Sequence, residues 1–282
     1  MVNDHNGAVD AAQVCVEDPP PGHDTWRLDL TYEGTAYRGW ARQPGHRTVE
    51  GLLMDALASV LREPVRLSVA GRTDAGVHAW AQVASFDCAP RDLHPDRVRH
   101  SLNALLPPDI AVMAVSPATP GFSARKAASR TYEYRVWPSP VKPVRDRAYV
   151  WNVRGALDGV LLGEAAALLP GRRDCAALTP CAQMYHSCVR DILSASWAAV
   201  PAASSGTPRH GPTPLHETEW IFTIIASSFL HNMVRVAVGS MVDVAQGRMT
   251  LEEFASGMAA GERRRMGQTA PSRGLALVAV SY

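Results

Sequence analysis

The chain has 282 residues, enough for two domains of ordinary size that each bury their own core. Its 46% hydrophobic and 20% charged content excludes a wholly disordered chain. A formal net charge of +1 excludes a basic particle that coats nucleic acid, so any RNA contact must come from local patches such as Arg125-Lys126-Arg130 or Arg263-Arg264-Arg265.

Residues 1–24 are polar, carry a Pro-Pro-Pro run at 19–21 and lack the apolar core of a secretory signal. They are expected to form a disordered tail. No stretch approaches the roughly 20 apolar residues of a membrane helix, and a cytoplasmic location is expected. The regular pattern begins at Arg27–Tyr32, which alternates like a strand and closes at Glu33-Gly34. Thr48 can cap a helix with Leu52, Leu53, Leu57, Val60 and Leu61 on one face. Short strands follow at 65–70 and 82–86, then a helix opened by Pro95 and a strand at 109–115. The order is β-α-β-β-α-β.

That order returns in the second half. Residues 129–137 (SRTYEYRVW) read as a strand, 157–169 as an Ala/Leu-rich helix, and 188–200 and 219–227 as strands on either side of a Pro/Ser/Gly-rich loop. A helix at 232–246 follows. Thr250 and Glu253 make a capping box for a short helix, and 274–282 is a final strand. The expected architecture is α+β: two tandem ferredoxin-like βαββαβ units, with antiparallel sheets and a cleft between them. The expected boundaries are a tail at 1–24, an N-terminal half at 25–122 and a C-terminal half at 123–282.

Five scattered cysteines are an odd number and argue against a disulfide framework. Cys175, Cys181 and Cys188, with His186, match none of the short paired spacings of zinc sites. Only Lys126 and Lys142 among the 28 basic residues are lysines. Arginine forks suit phosphate recognition, and a GC-rich genome produces the same bias.

The chemistry concentrates in Ala70–Ala79, AGRTDAGVHA. Gly71 and Gly76 allow a sharp turn that a ligand can approach, and between them stand Arg72, Thr73 and Asp74. From spacing alone, an Asx-type turn in which Asp74 bonds its own backbone is the reading to expect ahead of catalysis. His78 and His231 lie near the motifs, but no third metal ligand stands at sensible spacing.

GRTDAGVHA resembles the signature of the TruA-type tRNA pseudouridine synthases. The likeness continues in Tyr32-Glu-Gly-Thr-Ala-Tyr-Arg-Gly-Trp40, Asn103-Ala-Leu-Leu-Pro107, Arg130-Thr-Tyr-Glu-Tyr134, Phe229-Leu-His-Asn-Met-Val-Arg235 and Ala270-Pro-x-x-Gly274-Leu275. It covers about residues 25 to 282. The resemblance implies isomerisation of uridine to pseudouridine at positions 38–40 of the tRNA anticodon stem-loop, without cofactor or metal, by a homodimer. Asp74 would be the attacking or proton-abstracting carboxylate. Tyr132 would lie against the target base, Arg235 would pair with the carboxylate, and Arg72 would hold RNA or help open the stem. A guanidinium favours ionised Asp, and a tyrosine ring offers a face to an unstacked base. The chain departs from the family's usual pattern at Ser123 and Lys126, at Ala41 and in Asp174–Leu178. A non-catalytic RNA-binding module on the same fold, and a metal-dependent hydrolase, are the competing expectations.

Overall fold

The computed structural model describes residues 22–201 and 218–282. The expected tail as far as residue 21, with Cys15, and residues 202–217 of the expected loop lie outside the described residues. Strand β1 (Asp24–Tyr32) buries Trp26, Leu28, Leu30 and Tyr32, the period-2 face read from sequence. Helix α1 (Val49–Leu61) is capped by Thr48, whose hydroxyl accepts the Gly51 N–H, and it buries Leu53, Leu57 and Leu61. Then come β2 (Ser68–Val69), β3 (His78–Cys88), α2 (Pro95–Leu105) and β4 (Ile110–Pro117). Strand β3 is longer than expected. It is paired on both edges and buried without a break from Gln82 to Phe86, which hides the alternation that marks a half-exposed strand.

The second half comprises β5 (Ser129–Pro138), β6 (Trp151–Val153), α3 (Gly159–Ala167), β7 (Gly171–Asp174), β8 (Val189–Pro201), β9 (Thr218–Ala226), α4 (Met233–Ala245), α5 (Leu251–Ala260) and β10 (Leu275–Ser281). Strands β6 and β7, of three and four residues, are too short to show a period and were not expected. The capping box of α5 is present, with Thr250 and Glu253 bonding each other's backbone N–H.

The protein is α+β, with five α-helices among the described residues and a mostly antiparallel sheet. Two sheets with a cleft between them were expected. The strands instead form one ten-stranded sheet, in the order β4-β1-β3-β10-β5-β9-β8-β7, with β2 on β3 and β6 on β5. Strand β10 makes the join. It pairs antiparallel with β5 and meets β3 in parallel at Ala276↔His78 and Leu277↔Ala79, so neither half leaves that edge open. One hydrophobic cluster runs through both halves. Helix α4 is buried nearly all round, and Gly239 lets the 268–270 segment cross it, since a Cβ there would stand 1.8 Å from the Gln268 carbonyl oxygen. Among the described residues, no helix is long and apolar enough to cross a membrane.

Candidate active site

Strands β2 and β10 share one edge of β3, β2 against Ala84 and Ser85, β10 against His78 and Ala79. The chain between β2 and β3 emerges from the sheet at this seam, and it carries Asp74. The loop is held from below by buried polar side chains. Tyr32 Oη and Thr73 Oγ1 are 2.7 Å apart, and Gln82 Nε2 donates to the Gly71 carbonyl at 2.7 Å and to Tyr32 Oη at 3.2 Å. Burial pushes the Tyr32 phenol up to about 12, against the opposing pull of its hydrogen bonds with Thr73 and Gln82. From the side, Trp40 N–H donates to the Thr73 carbonyl at 3.0 Å. Gly39 takes a left-handed φ of 95°, and a Cβ there would stand 2.8 Å from the same oxygen.

Arg130 supplies the other anchor. It is buried, and its guanidinium donates to the carbonyls of Ala70, Ala127, Ser227 and Arg125 at 2.6–2.8 Å. The sequence placed Arg130 in an RNA-facing patch with Arg125 and Lys126. That expectation is corrected: four carbonyls converge on it, so it is an internal clamp, while Arg125 and Lys126 are exposed. The three arginines at 263–265 are likewise engaged, with Thr269, Glu262 and Ser256.

Tyr132 faces the loop from the other half. On the row Ala79–Leu277–Tyr132 only β10 separates it from β3. Its ring is buried and meets Phe229 edge-on, with centroids 4.9 Å apart. A Cβ on Gly71 would stand 3.3 Å from the Tyr132 hydroxyl, so the motif's first glycine permits this approach. Burial raises the phenol far above its ordinary value, and the charges of Tyr32 and Asp74 add to the effect. Tyr132 therefore lies against the loop that carries Asp74, near enough for the carboxylate's charge to act on its phenol.

The Asp74 carboxylate does not fold back on its own backbone. Its polar side-chain contact among the described residues is His231, with Nε2 at 3.5 Å from Oδ1. Arg235 had been expected in that place. It is drawn elsewhere, donating from Nε to the Ala270 carbonyl at 2.7 Å and from Nη1 to Asn232 Oδ1 at 2.6 Å. Asn232 is left-handed, with φ 60°, and the Arg235 bond secures that turn. Sequence reasoning set His231 aside for want of a metal partner. The usable signal was its place inside the Phe229–Arg235 motif.

His78 has a different task. Its Nδ1 accepts the Gly34 N–H at 2.9 Å, and Nε2 lies 2.9 Å from the Ala148 carbonyl and 3.1 Å from that of Arg273. One nitrogen accepts and the other donates, which defines a neutral ring, and burial lowers its pKa in keeping. Ser123 is explained by Ser68, whose hydroxyl lies 2.8 Å away across β2. In the 174–178 stretch, Cys175, Ala177 and Leu178 are fully buried, so small side chains take the space that aromatic ones would need.

Arg72 is exposed and makes no hydrogen bond or ion pair with any described residue. The same holds for the Arg38 side chain, beyond the loop. A cavity of about 450 Å³ opens there, lined by Tyr37, Arg38, His46, Arg47, Ala75 and Gly76. Arg47 lies over the Tyr37 ring and bonds Asp109, which also accepts the Tyr37 hydroxyl. One carboxylate, an aromatic wall and uncommitted guanidinium groups on the rim suit an enzyme that works on a flat ring carried by a polyanion.

Comparison with known proteins agrees with that class. A family model described as tRNA pseudouridine synthase matches residues 30–125 and 165–282. The chain is similar to tRNA pseudouridine synthase A of Solidesulfovibrio magneticus, at 42% identity over 263 residues, covering 91% of this chain and 90% of that protein. It is 37% identical to the enzyme of the same name from Geobacter sulfurreducens, covering 92% and 99%, and 39% identical to that of Bifidobacterium longum, covering 91% and 92%. The chain belongs to the tRNA pseudouridine synthase family.

Proposed function

We propose that this protein isomerises uridine to pseudouridine at positions 38–40 of the tRNA anticodon stem-loop, with Asp74 as the reacting carboxylate. The observation that carries the reading is that Tyr132, from the second half of the chain, lies against the loop of the first half that carries Asp74. The C1′–N1 bond breaks, a C1′–C5 bond forms, the C5 proton leaves and N1 gains one. No electron, phosphate or group donor enters that balance, in keeping with a reaction that takes no cofactor. Asp74 acts either by attacking the substrate covalently or by removing the 2′ proton to give a glycal, and the balance is the same.

The base must leave its stack to reach the carboxylate. Tyr132 bounds the space that would receive it and Arg72 serves as a substrate-binding residue, while Arg235, committed to Ala270 and Asn232, braces the turn beside the site. Arg72 and Arg38 flank the loop as phosphate contacts. The reading includes two ferredoxin-like units, residues 25–122 and 123–282. The strand order within each supports it: β4-β1-β3-β2 in the first and β10-β5-β9-β8 in the second. A cytoplasmic homodimer acting on tRNA completes the proposal.

The test is tritium release from tRNA transcripts labelled at C5 of uridine. Release by the native protein, abolished in Asp74→Ala, is the expected result. Tight tRNA binding without release from any transcript would leave the RNA-binding module as the better reading.

A further inference from the structure

We infer that His231 is the positioning residue for the Asp74 carboxylate, with its tautomer fixed by the thiol of Cys181. The inference rests on Asp74 being the reacting group. An ionised carboxylate only accepts hydrogen bonds, so the imidazole nitrogen facing it, Nε2, carries the hydrogen. In the neutral ring Nδ1 is then an acceptor. It faces Cys181 Sγ at 3.6 Å, and the thiol S–H is the donor to it. The assignment runs in one direction, from Cys181 through His231 to Asp74.

The backbone holds the ring in this place. The His231 N–H donates to the Tyr185 hydroxyl at 3.0 Å, and Tyr185 closes the short turn at 182–184 that follows Cys181. On the other side stands left-handed Asn232, bonded by Arg235. The imidazole is thus fixed to two segments of the second half while it reaches the loop of the first. At 3.5 Å the His231–Asp74 contact is longer than a formed hydrogen bond. Catalytic hydrogen bonds commonly shorten when substrate fills a site. A donor on one carboxylate oxygen fixes the carboxylate's plane, leaving the other oxygen to the substrate.

The test compares four variants of the full-length protein with the native one, on tritiated tRNA transcript. His231→Leu should lower kcat about 10- to 100-fold with KM unchanged, because what is lost is the aim of the carboxylate. His231→Gln, which keeps an N–H donor, should recover most of that loss. Cys181→Ser, which keeps a hydrogen-bond donor, should retain more of the native kcat than Cys181→Ala, which should lower it several-fold. A rise in KM alone would make His231 an RNA contact and overturn the inference. So would native kcat in His231→Leu, or a Gln variant no better than Leu. Should His231→Leu fail to fold, the Cys181 pair decides: equal activity of Ser and Ala overturns the tautomer assignment, and an Ala-specific loss supports it. Asp74→Ala run alongside separates the two levels, since activity surviving there defeats the reading of the site itself.

Discussion

The loop that carries Asp74 and the turn that carries His231 face each other across the seam, and they are held in opposite ways. The loop rests on buried polar groups: Tyr32, Gln82 and Thr73 beneath it, Arg130 on its first carbonyl and Gly39 against its flank. The turn is secured from its own outer side, by Arg235 on Asn232 and Ala270 and by the Tyr185 hydroxyl. Buried polar networks are costly to break, whereas partly exposed ones can exchange with water. Damage beneath the loop should therefore remove stability and activity together, and damage to the turn should remove activity with much less stability.

Arg130→Met tests the first half of this contrast most severely. It leaves the carbonyls of Ala70, Arg125, Ala127 and Ser227 without their donor, at ~1–3 kcal/mol for each acceptor that water does not reach. A loss of about 4 kcal/mol in urea unfolding is expected, with activity falling alongside. A loss below about 1 kcal/mol would mean that strand pairing alone holds the loop. Gly39→Ala should come next. The left-handed backbone and the 2.8 Å approach to the Thr73 oxygen together cost about 1–3 kcal/mol, and the displaced oxygen moves the residue beside Asp74. Thermal unfolding and tritium release should fall in step.

Much of this arrangement was legible before the coordinates, and the unread parts share a cause. The element order followed from local signals: the alternation in β1, the Thr48 cap, Pro95 and the Thr250–Glu253 box. Asp74 and Tyr132 came from motif resemblance, and in the structure Tyr132 lies against the loop that carries Asp74. What stayed hidden was long-range. That β10 would join two sheets into one depends on a parallel contact of only two register pairs, between residues almost 200 positions apart. Arg130 looked like a surface charge because a sequence does not show four carbonyls converging. His231, on the turn, and Arg235, in the first turn of α4, stand four residues apart and reach different partners.

Tyr32 sharpens the contrast through pH. Its phenol is pushed up to about 12 in the fold and ionises near 10 in the unfolded chain. Below about pH 10 both states hold the proton, and the contribution is present in full. Between about 10 and 12 the unfolded chain alone loses it, so stability falls by about 1.4 kcal/mol per pH unit from this residue and is then exhausted. Tyr132 and Tyr134 are raised by burial too and should steepen the fall. In urea unfolding across this range, Tyr32→Phe should show a shallower alkaline slope. At neutral pH it should cost about 1 kcal/mol for the lost Thr73 hydrogen bond. An unchanged slope would place the tyrosine outside the buried network.

On the turn, Asn232→Gly relieves a left-handed side chain but removes the acceptor of Arg235. The two effects oppose, so unfolding should change by less than about 1 kcal/mol, while kcat falls because the His231–Arg235 segment loses its brace. Stability loss as large as that of Arg130→Met would erase the distinction between the two sides.

The smallest effect on stability belongs to Arg72, on the loop but outside its network. Its exposed side chain makes no hydrogen bond or ion pair with a described residue, so Arg72→Ala should leave unfolding within about 0.5 kcal/mol of the native protein. As the proposed phosphate contact, it should act only in the complex with RNA. KM for tRNA should rise, and the slope of log affinity against log salt should shrink by about 1, the share of one lost phosphate contact. Single-turnover rates at saturating tRNA should stay near native, because the carboxylate and its supports are untouched. Arg38→Ala, across the loop, should behave the same way. If Arg72→Ala instead lowered the saturating rate at unchanged salt slope, the guanidinium would be acting on Asp74 or on the flipped base. The stiff interior would then extend to the rim, and the loop could no longer be divided into a braced carboxylate and a free arm.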